Sequence, residues 1–303
     1  LIDLDVIIPT YNRQLELRQT LEMVLHQELL PHKVIVVDQT PGPCRLDTEL
    51  LDSYTRSGVG LVWIHRSEPN LCGARNTGIV ASEASVCLVL DDDVLIPPTI
   101  VKDHWLCYQA PNSPAAVGGQ VFHRRPQFPI DDLSLWDPHK GTSPAWAAST
   151  QVRKGPLFGG HFSVKRNAVH DIGGWDEAFV GSANWEEGDF MHRLDSSGYD
   201  YVWDPTIWLI HYRSPSGGCR IPGNNSFPEW TKTVNFFLFG LRYPNDKPKP
   251  YIWRTALRAG PLRKEVVHSP RLWFPAWFAV VQSWNEARHR AKHPILPLLS
   301  SSI

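Results

Sequence analysis

The sequence predicts an α/β chain built on a Rossmann-like, mainly parallel sheet and followed by a helical C-terminal tail. Three observations predict it. Short β-branched runs, LDVIIP at 4–9 and KVIVVD at 33–38, are joined by LELRQTLEMVLHQ, in which Leu17, Leu21, Val24 and Leu25 recur at helical spacing. The strands are continuously apolar rather than alternating, as expected for a parallel sheet covered on both faces. After residue 226 the pattern changes to two long apolar and aromatic segments with basic residues near their ends.

The first strand, helix and second strand form one unit. LVWIH at 61–65 and VCLVL at 86–90 continue the sheet, with a helix expected around 73–83. Residues 111–160 are rich in Pro, Gly and Trp with little periodicity, and read as an edge strand near 116–123 followed by a long loop. Order returns with GHFSVKRNAVHDIGGWDEAF, a strand and a short helix; Gly173-Gly174 permits a tight turn. NWEEGDFMHRLDSSGYDYVWDP follows as a helix stopped at Gly198 and then a strand. Three divisions are expected: 1–118 as the ligand-binding half, 119–225 as the second half and 226–303 as a helical extension.

Composition narrows the function. With 303 residues and 42% hydrophobic content the chain buries a full core. Lys and Arg number 30 against 31 Asp and Glu, so no global field attracts nucleic acid, and phosphate recognition must be local. Cys44, Cys72, Cys87, Cys107 and Cys219 are scattered without a CxxC pair, which fits a reducing compartment and a cytoplasmic protein. No apolar run spans a bilayer and no signal peptide is expected. Trp273, Phe274, Trp277, Phe278 and Trp284 beside Arg271, Arg288 and Arg290 make peripheral contact with the inner face of a membrane an expectation for the tail.

The chemistry concentrates in LVLDDDV. Asp91, Asp92 and Asp93 stand together at the end of an apolar strand, where their mutual repulsion calls for a cation. In open parallel sheets ligands bind beyond the carboxyl ends of the strands. Pro9, Thr10, Tyr11, Asn12 and Asp38 fall at that same edge. The triplet by itself suits either oxygen ligation of a divalent metal or the nucleophile loop of a haloacid-dehalogenase-like phosphatase using Asp91 and Asp93. The phosphatase loop follows the first strand of its fold, whereas here at least three strands precede it.

DVIIPTYNR, VIVVDQT, NLCGARNTGIVAS, LVLDDDV, GGHFSVKRNAV with GGWDEAF, and EEGDFMHRLDSSGY occur in one order. Over about residues 4 to 212 the sequence resembles family 2 glycosyltransferases of the GT-A fold. The resemblance implies a nucleotide-sugar donor, a carbohydrate or glycoconjugate acceptor, and Mn²⁺ or Mg²⁺. Pro9, Thr10 and Tyr11 would border the base and ribose, and Asp38 would accept a hydrogen bond from either. Arg75 would lie near the diphosphate, with Arg220 as a second cationic contact. Asp93 would ligate the metal, with Asp91 and Asp92 positioning ribose and metal-bound water, and His211 in WLIHYR would add a metal or phosphate contact. Glu187 aligns with the family's catalytic acid, making it the expected general base ahead of Glu186 and Asp189, in an inverting displacement.

Gln39 in place of a second acid after Asp38, and Glu187 where the family has Asp, depart from that pattern. Trp136, Trp146, Trp175, Trp185, Trp203 and Trp208 divide between core and sugar-facing positions, core being the commoner fate of large aromatics. His65, His104, His123, His139 and His161 are spread without metal-ligand spacing, and surface or core positions are the commoner fate of each; His161 after Gly159-Gly160 is the best placed of them for an acceptor edge. Besides the phosphatase, a carbohydrate-binding protein without turnover is the competing reading.

Overall fold

A computed structural model describes residues 1–42, 48–123, 152–212, 214, 217–218, 230–246 and 249–297. In chain order the elements are β1 (Ile2–Thr10), α1 (Gln14–Leu25), β2 (Pro31–Asp38), α2 (Thr48–Ser57), β3 (Gly60–His65), α3 (Leu71–Ala81), β4 (Val86–Leu90) and β5 (Val94–Leu95). They continue with α4 (Ile100–Leu106), β6 (Ala116–His123), β7 (Val152–Arg153), β8 (His161–Lys165), α5 (Arg166–Asp171), α6 (Glu186–Ser196) and β9 (Tyr201–His211). The tail is helical: α7 (Trp230–Arg242), α8 (Lys249–Ala259), α9 (Lys264–Val267) and α10 (Pro270–Lys292).

Among the described residues one sheet runs in the order β3-β2-β1-β4-β8-β6-β9-β5, with β7 also paired to β9. The first four of these strands are parallel, as their continuous apolar runs predict. Beyond β4 the sheet is mixed: β8 is antiparallel to both β4 and β6, and β9 is parallel to β6. Strand side chains alternate between two cores. Val6, Ile8, Val34, Val36, Leu88 and Leu90 meet α1, α2 and α4 on one face, whereas Ile7, Ile35, Val37 and Val89 meet α3 and the later helices on the other.

Local chemistry explains how α3 seats against this sheet. Asn70 caps it by accepting the Gly73 N–H at 2.9 Å, a bond absent for most residues at that position. Gly78 then lets the helix approach β1, since a Cβ there would stand 2.3 Å from Ile7 Cγ2.

One expectation changes. The strand at 116–123 is interior, between β8 and β9, rather than an edge. Its Gly118-Gly119 pair weakens the strand pattern for a steric reason: a Cβ on Gly119 would lie 2.1 Å from His161 Cε1, and one on Gly118 2.7 Å from the Pro156 carbonyl oxygen. The expected division at 118 falls inside β6, so the sheet passes without a break from one half to the other. The tail packs on the second core, where the small residues Ala276, Val280, Ser283 and Ala287 of α10 are buried and α10 lies along α7.

Candidate active site

The three carboxylates after β4 have different surroundings. Asp92 is buried; its Oδ2 accepts the Thr10 hydroxyl at 2.7 Å and its Oδ1 accepts Arg13 Nη1 at 2.8 Å. Its own carbonyl accepts the Thr20 hydroxyl from α1, which fixes the backbone of the triplet. Burial pushes the Asp92 carboxyl up to about 7, against the opposing pull of Arg13. Asp93 is fully buried, with Oδ2 accepting the Ser214 N–H at 2.8 Å and lying 3.0 Å from Arg13 Nη1. Its Oδ1 is 3.0 Å from His211 Nε2 but receives no well-aligned hydrogen bond.

Asp91, Asp93 and His211 place one ligand atom each within 4.8 Å of the others. Burial by itself would lower His211, yet the Asp93 carboxylate 3.0 Å away and the charge of Asp91 outweigh it and raise the imidazole above its ordinary value. Two hard oxygen donors, one of them the buried Asp93 Oδ1 without a hydrogen-bond partner, and one imidazole nitrogen form a donor set that fits a divalent ion. His211 reaches the site because β5 pairs antiparallel with the end of β9, opposing Val94 and His211.

Arg13 was not among the expected site residues. Asn12 sits in the left-handed region at φ 54, so the chain turns sharply as it leaves β1. The guanidinium that follows ion-pairs with Asp92 and Asp93 together. The only sequence signal was its place in DVIIPTYNR, one step beyond the strand-end residues. The Gly218 N–H donates to the Tyr11 carbonyl at 2.8 Å, bringing the segment after β9 over the same loop. An open cavity of about 190 Å³ here is lined by Pro9, Thr10, Tyr11, Gln39, Asp91 and His211, among others.

Gly159 and Gly160 connect this cluster to the acid pair of α6. The Asp91 N–H donates to the Gly160 carbonyl at 3.2 Å, and a Cβ on Gly160 would sit 2.2 Å from Asp91 Oδ2. A Cβ on Gly159 would meet Arg75 Nη2 at 2.5 Å and the Oε1 atoms of both Glu186 and Glu187 at 2.8 Å. Gly160→Ala is therefore expected to displace Asp91 and weaken binding of Mn²⁺ to this donor set by about 10–100-fold, while the melting temperature of the free protein changes little. Isothermal titration with Mn²⁺ checks this.

The two glutamates differ. Glu186 is buried and ion-pairs with Arg75, whose Nη2 also donates to the Gly159 carbonyl at 2.7 Å. Burial pushes Glu186 up to about 8 against the attraction of Arg75. Glu187 is only partly covered and accepts the Gly159 N–H at 3.2 Å. Burial raises its pKa also, and Arg75 opposes the rise. Trp185, the residue before them, holds a left-handed backbone at φ 76, which is rare for a bulky side chain and concentrates strain beside the acids.

The structure distributes the remaining expected residues unevenly. Arg75 is directed at Glu186 and the Gly159 carbonyl rather than into the open cavity where a diphosphate contact was expected. Asp38 Oδ1 accepts the Thr40 N–H of its own turn, and the neighbouring Gln39 lines the cavity instead. Asp189 is tied to Arg193, Arg242 and Tyr243, so its carboxylate braces α6 against α7. His161 is wholly buried, its Nε2 3.1 Å from His104 Nε2, and so does not stand at an acceptor surface. Trp175 and Trp203 are core residues, and Trp185 borders a second cavity. Arg220, Trp136, Trp146 and His139 lie outside the described residues.

Comparison with known proteins bears on the family and the fold. Residues 5–171 match the family described as Glycosyl transferase family 2. No curated protein matches the sequence. Among solved structures, TarS 1–349 of S. aureus is similar with a TM-score of 0.57 at 12% identity, covering 97% of this chain and 83% of that one. The mannosyltransferase PcManGT of Pyrobaculum calidifontis, solved with GDP-Man and Mn²⁺, has a TM-score of 0.47 at 16% identity, covering 99% of this chain and 78% of that one. The strand bearing the acid triplet is the fourth in sequence and lies inside the sheet, which removes the phosphatase reading together with the family match. The chain has the GT-A fold, belongs to glycosyl transferase family 2 and is a glycosyltransferase.

Proposed function

We propose that this glycosyltransferase moves a sugar, with inversion, from a nucleoside-diphosphate sugar to an acceptor hydroxyl with the help of a divalent metal. The observation that carries this reading is the joining of the Asp91–Asp93–His211 donor set to the Glu186–Glu187 pair through Gly159-Gly160. Asp91, Asp93 and His211 would hold the metal, and the imidazole nitrogen favours Mn²⁺ over Mg²⁺, which prefers oxygen donors. A metal bound there supplies Lewis-acid stabilisation of charge on the departing diphosphate.

The protein's own groups do the rest. The Pro9–Tyr11 turn and Gln39 border the nucleoside, while the cavity, smaller than the roughly 300 Å³ of a typical ligand site, opens toward Asp91 so that the rest of the donor extends beyond it. Thr10 and Arg13 hold Asp92 as a positioning group. Glu187 takes the proton of the acceptor hydroxyl as that oxygen attacks the anomeric carbon from the side opposite the diphosphate. Glu186 is buried against Arg75 and presents no open face to the acceptor hydroxyl. A carbohydrate or glycoconjugate acceptor is supported by the second cavity, about 530 Å³, where Trp185, the residue before the acid pair, together with Tyr201 and Phe239 offers aromatic faces. The buried free thiols of Cys72 and Cys87 support a reducing, cytoplasmic setting.

Thermal shift with nucleoside diphosphates tests the reading. Stabilisation is expected for nucleotide plus Mn²⁺ and not for nucleotide with a chelator; equal stabilisation under both conditions rejects metal-dependent donor binding. His211 gives the pH dependence its sign. Its pKa is raised, so protons displace the metal as pH falls through a value above that of an ordinary imidazole. Mn²⁺ affinity is accordingly expected to fall on acidification, and His211→Ala should flatten this fall.

A further inference from the structure

Residues 249–297 hold nine of the chain's 30 Lys and Arg but only two of its 31 Asp and Glu, so a nearly neutral protein carries a strongly basic tail. The same segment exposes large apolar side chains. On α10, Phe274 is 76% exposed, Trp277 49% and Phe278 51%, with Trp273 and Val281 similarly open. At 3.6 residues per turn these five form one stripe, and the exposed Arg288, eleven residues after Trp277, lies on it. The opposite face of α10 is already used, since Ala276, Val280, Ser283 and Ala287 are buried. Leu262 in the α8–α9 connection and Val267 of α9 are exposed as well, beside exposed Arg263 and Lys264. No described helix is long and apolar enough to cross a membrane, so the stripe is not part of a span.

We infer that the face of α10 carrying Phe274, Trp277 and Phe278 docks the protein on the surface of an anionic lipid bilayer, its aromatic rings at the headgroup boundary and Arg254, Arg258, Arg271 and Arg288 facing the anionic headgroups. Aromatic and basic groups on one helical stripe combine the two attractions by which helices lie in the interface plane, and the charge segregation selects an anionic partner. This surface is separate from the acid cluster and the glutamate pair, and the inference stands whether or not the proposed transfer chemistry holds.

Co-sedimentation of the full chain with phosphatidylcholine vesicles, with and without about 30 mol % phosphatidylglycerol, tests it. Wild-type protein is expected to bind the anionic vesicles at least about tenfold more tightly than the neutral ones, with binding weakened by salt. Phe274→Ser, Trp277→Ser and Phe278→Ser together are expected to reduce binding at least about tenfold, with melting temperature and nucleotide binding retained because all three side chains are exposed. Arg254→Gln, Arg258→Gln and Arg271→Gln together should remove the preference for anionic lipid, which keeps the inference testable if the aromatic variant misfolds. Wild-type protein left in the supernatant with both vesicles, or an aromatic variant that binds like wild type, overturns it. So does a concentration-dependent dimer, seen by light scattering without vesicle binding and abolished by the aromatic substitutions, which would assign the stripe to a second copy of the chain.

Discussion

Glu187→Gln is expected to lower kcat by about 10²–10⁴-fold while leaving affinity for nucleoside diphosphate and Mn²⁺ unchanged. The amide keeps the size of the side chain and can still accept the Gly159 N–H, so the local fold has no reason to move. What it loses is the ability to take a proton. Glu186→Gln should behave differently, because Glu186 is buried against Arg75 and has no exposed face to offer an acceptor. Its main effect should be on stability. Single-turnover kinetics on both variants, paired with titration of the nucleotide, separates the roles; equal loss of kcat in both would reject Glu187 as the base.

The pH profile follows from the same environment. Burial raises the Glu187 pKa, and the base works only when deprotonated. Activity should thus rise with pH through a limb lying above the usual carboxylate range.

The parts of this site legible in the sequence are those encoded by consecutive residues. The strand ends at Pro9–Tyr11 and at Asp91–Asp93 could be found because an apolar run stops abruptly at polar residues, and parallel topology brings such ends to one edge. Glu186-Glu187 was legible as an acidic pair opening a helix. Roles set by long-range partners were not. Nothing local to Arg75 says that it faces Glu186, 111 positions away, and nothing local to Asp189 says that Arg242 will occupy it. Arg13 was hidden because its direction depends on the left-handed turn at Asn12, a conformation that sequence leaves open. His161 stood out among the histidines only because it follows Gly159-Gly160, and nothing local to it says that Gly119 on the adjacent strand makes room for its ring in the interior. The interior position of β6 was missed for the same reason, since two glycines chosen for close packing look like a weakened edge.

Arg75→Met should destabilise the fold by about 3–5 kcal/mol, on the order of 10 °C in melting temperature, because it leaves one half of a buried ion pair without its partner. Both side chains are only 2% exposed, so water cannot take over the lost interaction. The Gly159 carbonyl loses its donor as well. Adding Glu186→Leu removes the orphaned carboxyl, and the double variant should recover much of the lost stability, since apolar replacement of both members of a buried pair is often nearly neutral. Activity should not recover in parallel. Arg75 holds the Gly159 carbonyl and opposes the rise in the Glu187 pKa, so Arg75→Met alone should move the acidic limb to still higher pH, and the double variant should retain a lowered kcat. Calorimetry and a pH–rate profile on the two variants read these effects independently. Recovery of stability in the double variant together with a wild-type pH profile in Arg75→Met would show that the pair only supports the fold, whereas a displaced limb in Arg75→Met ties it to the charge on the base.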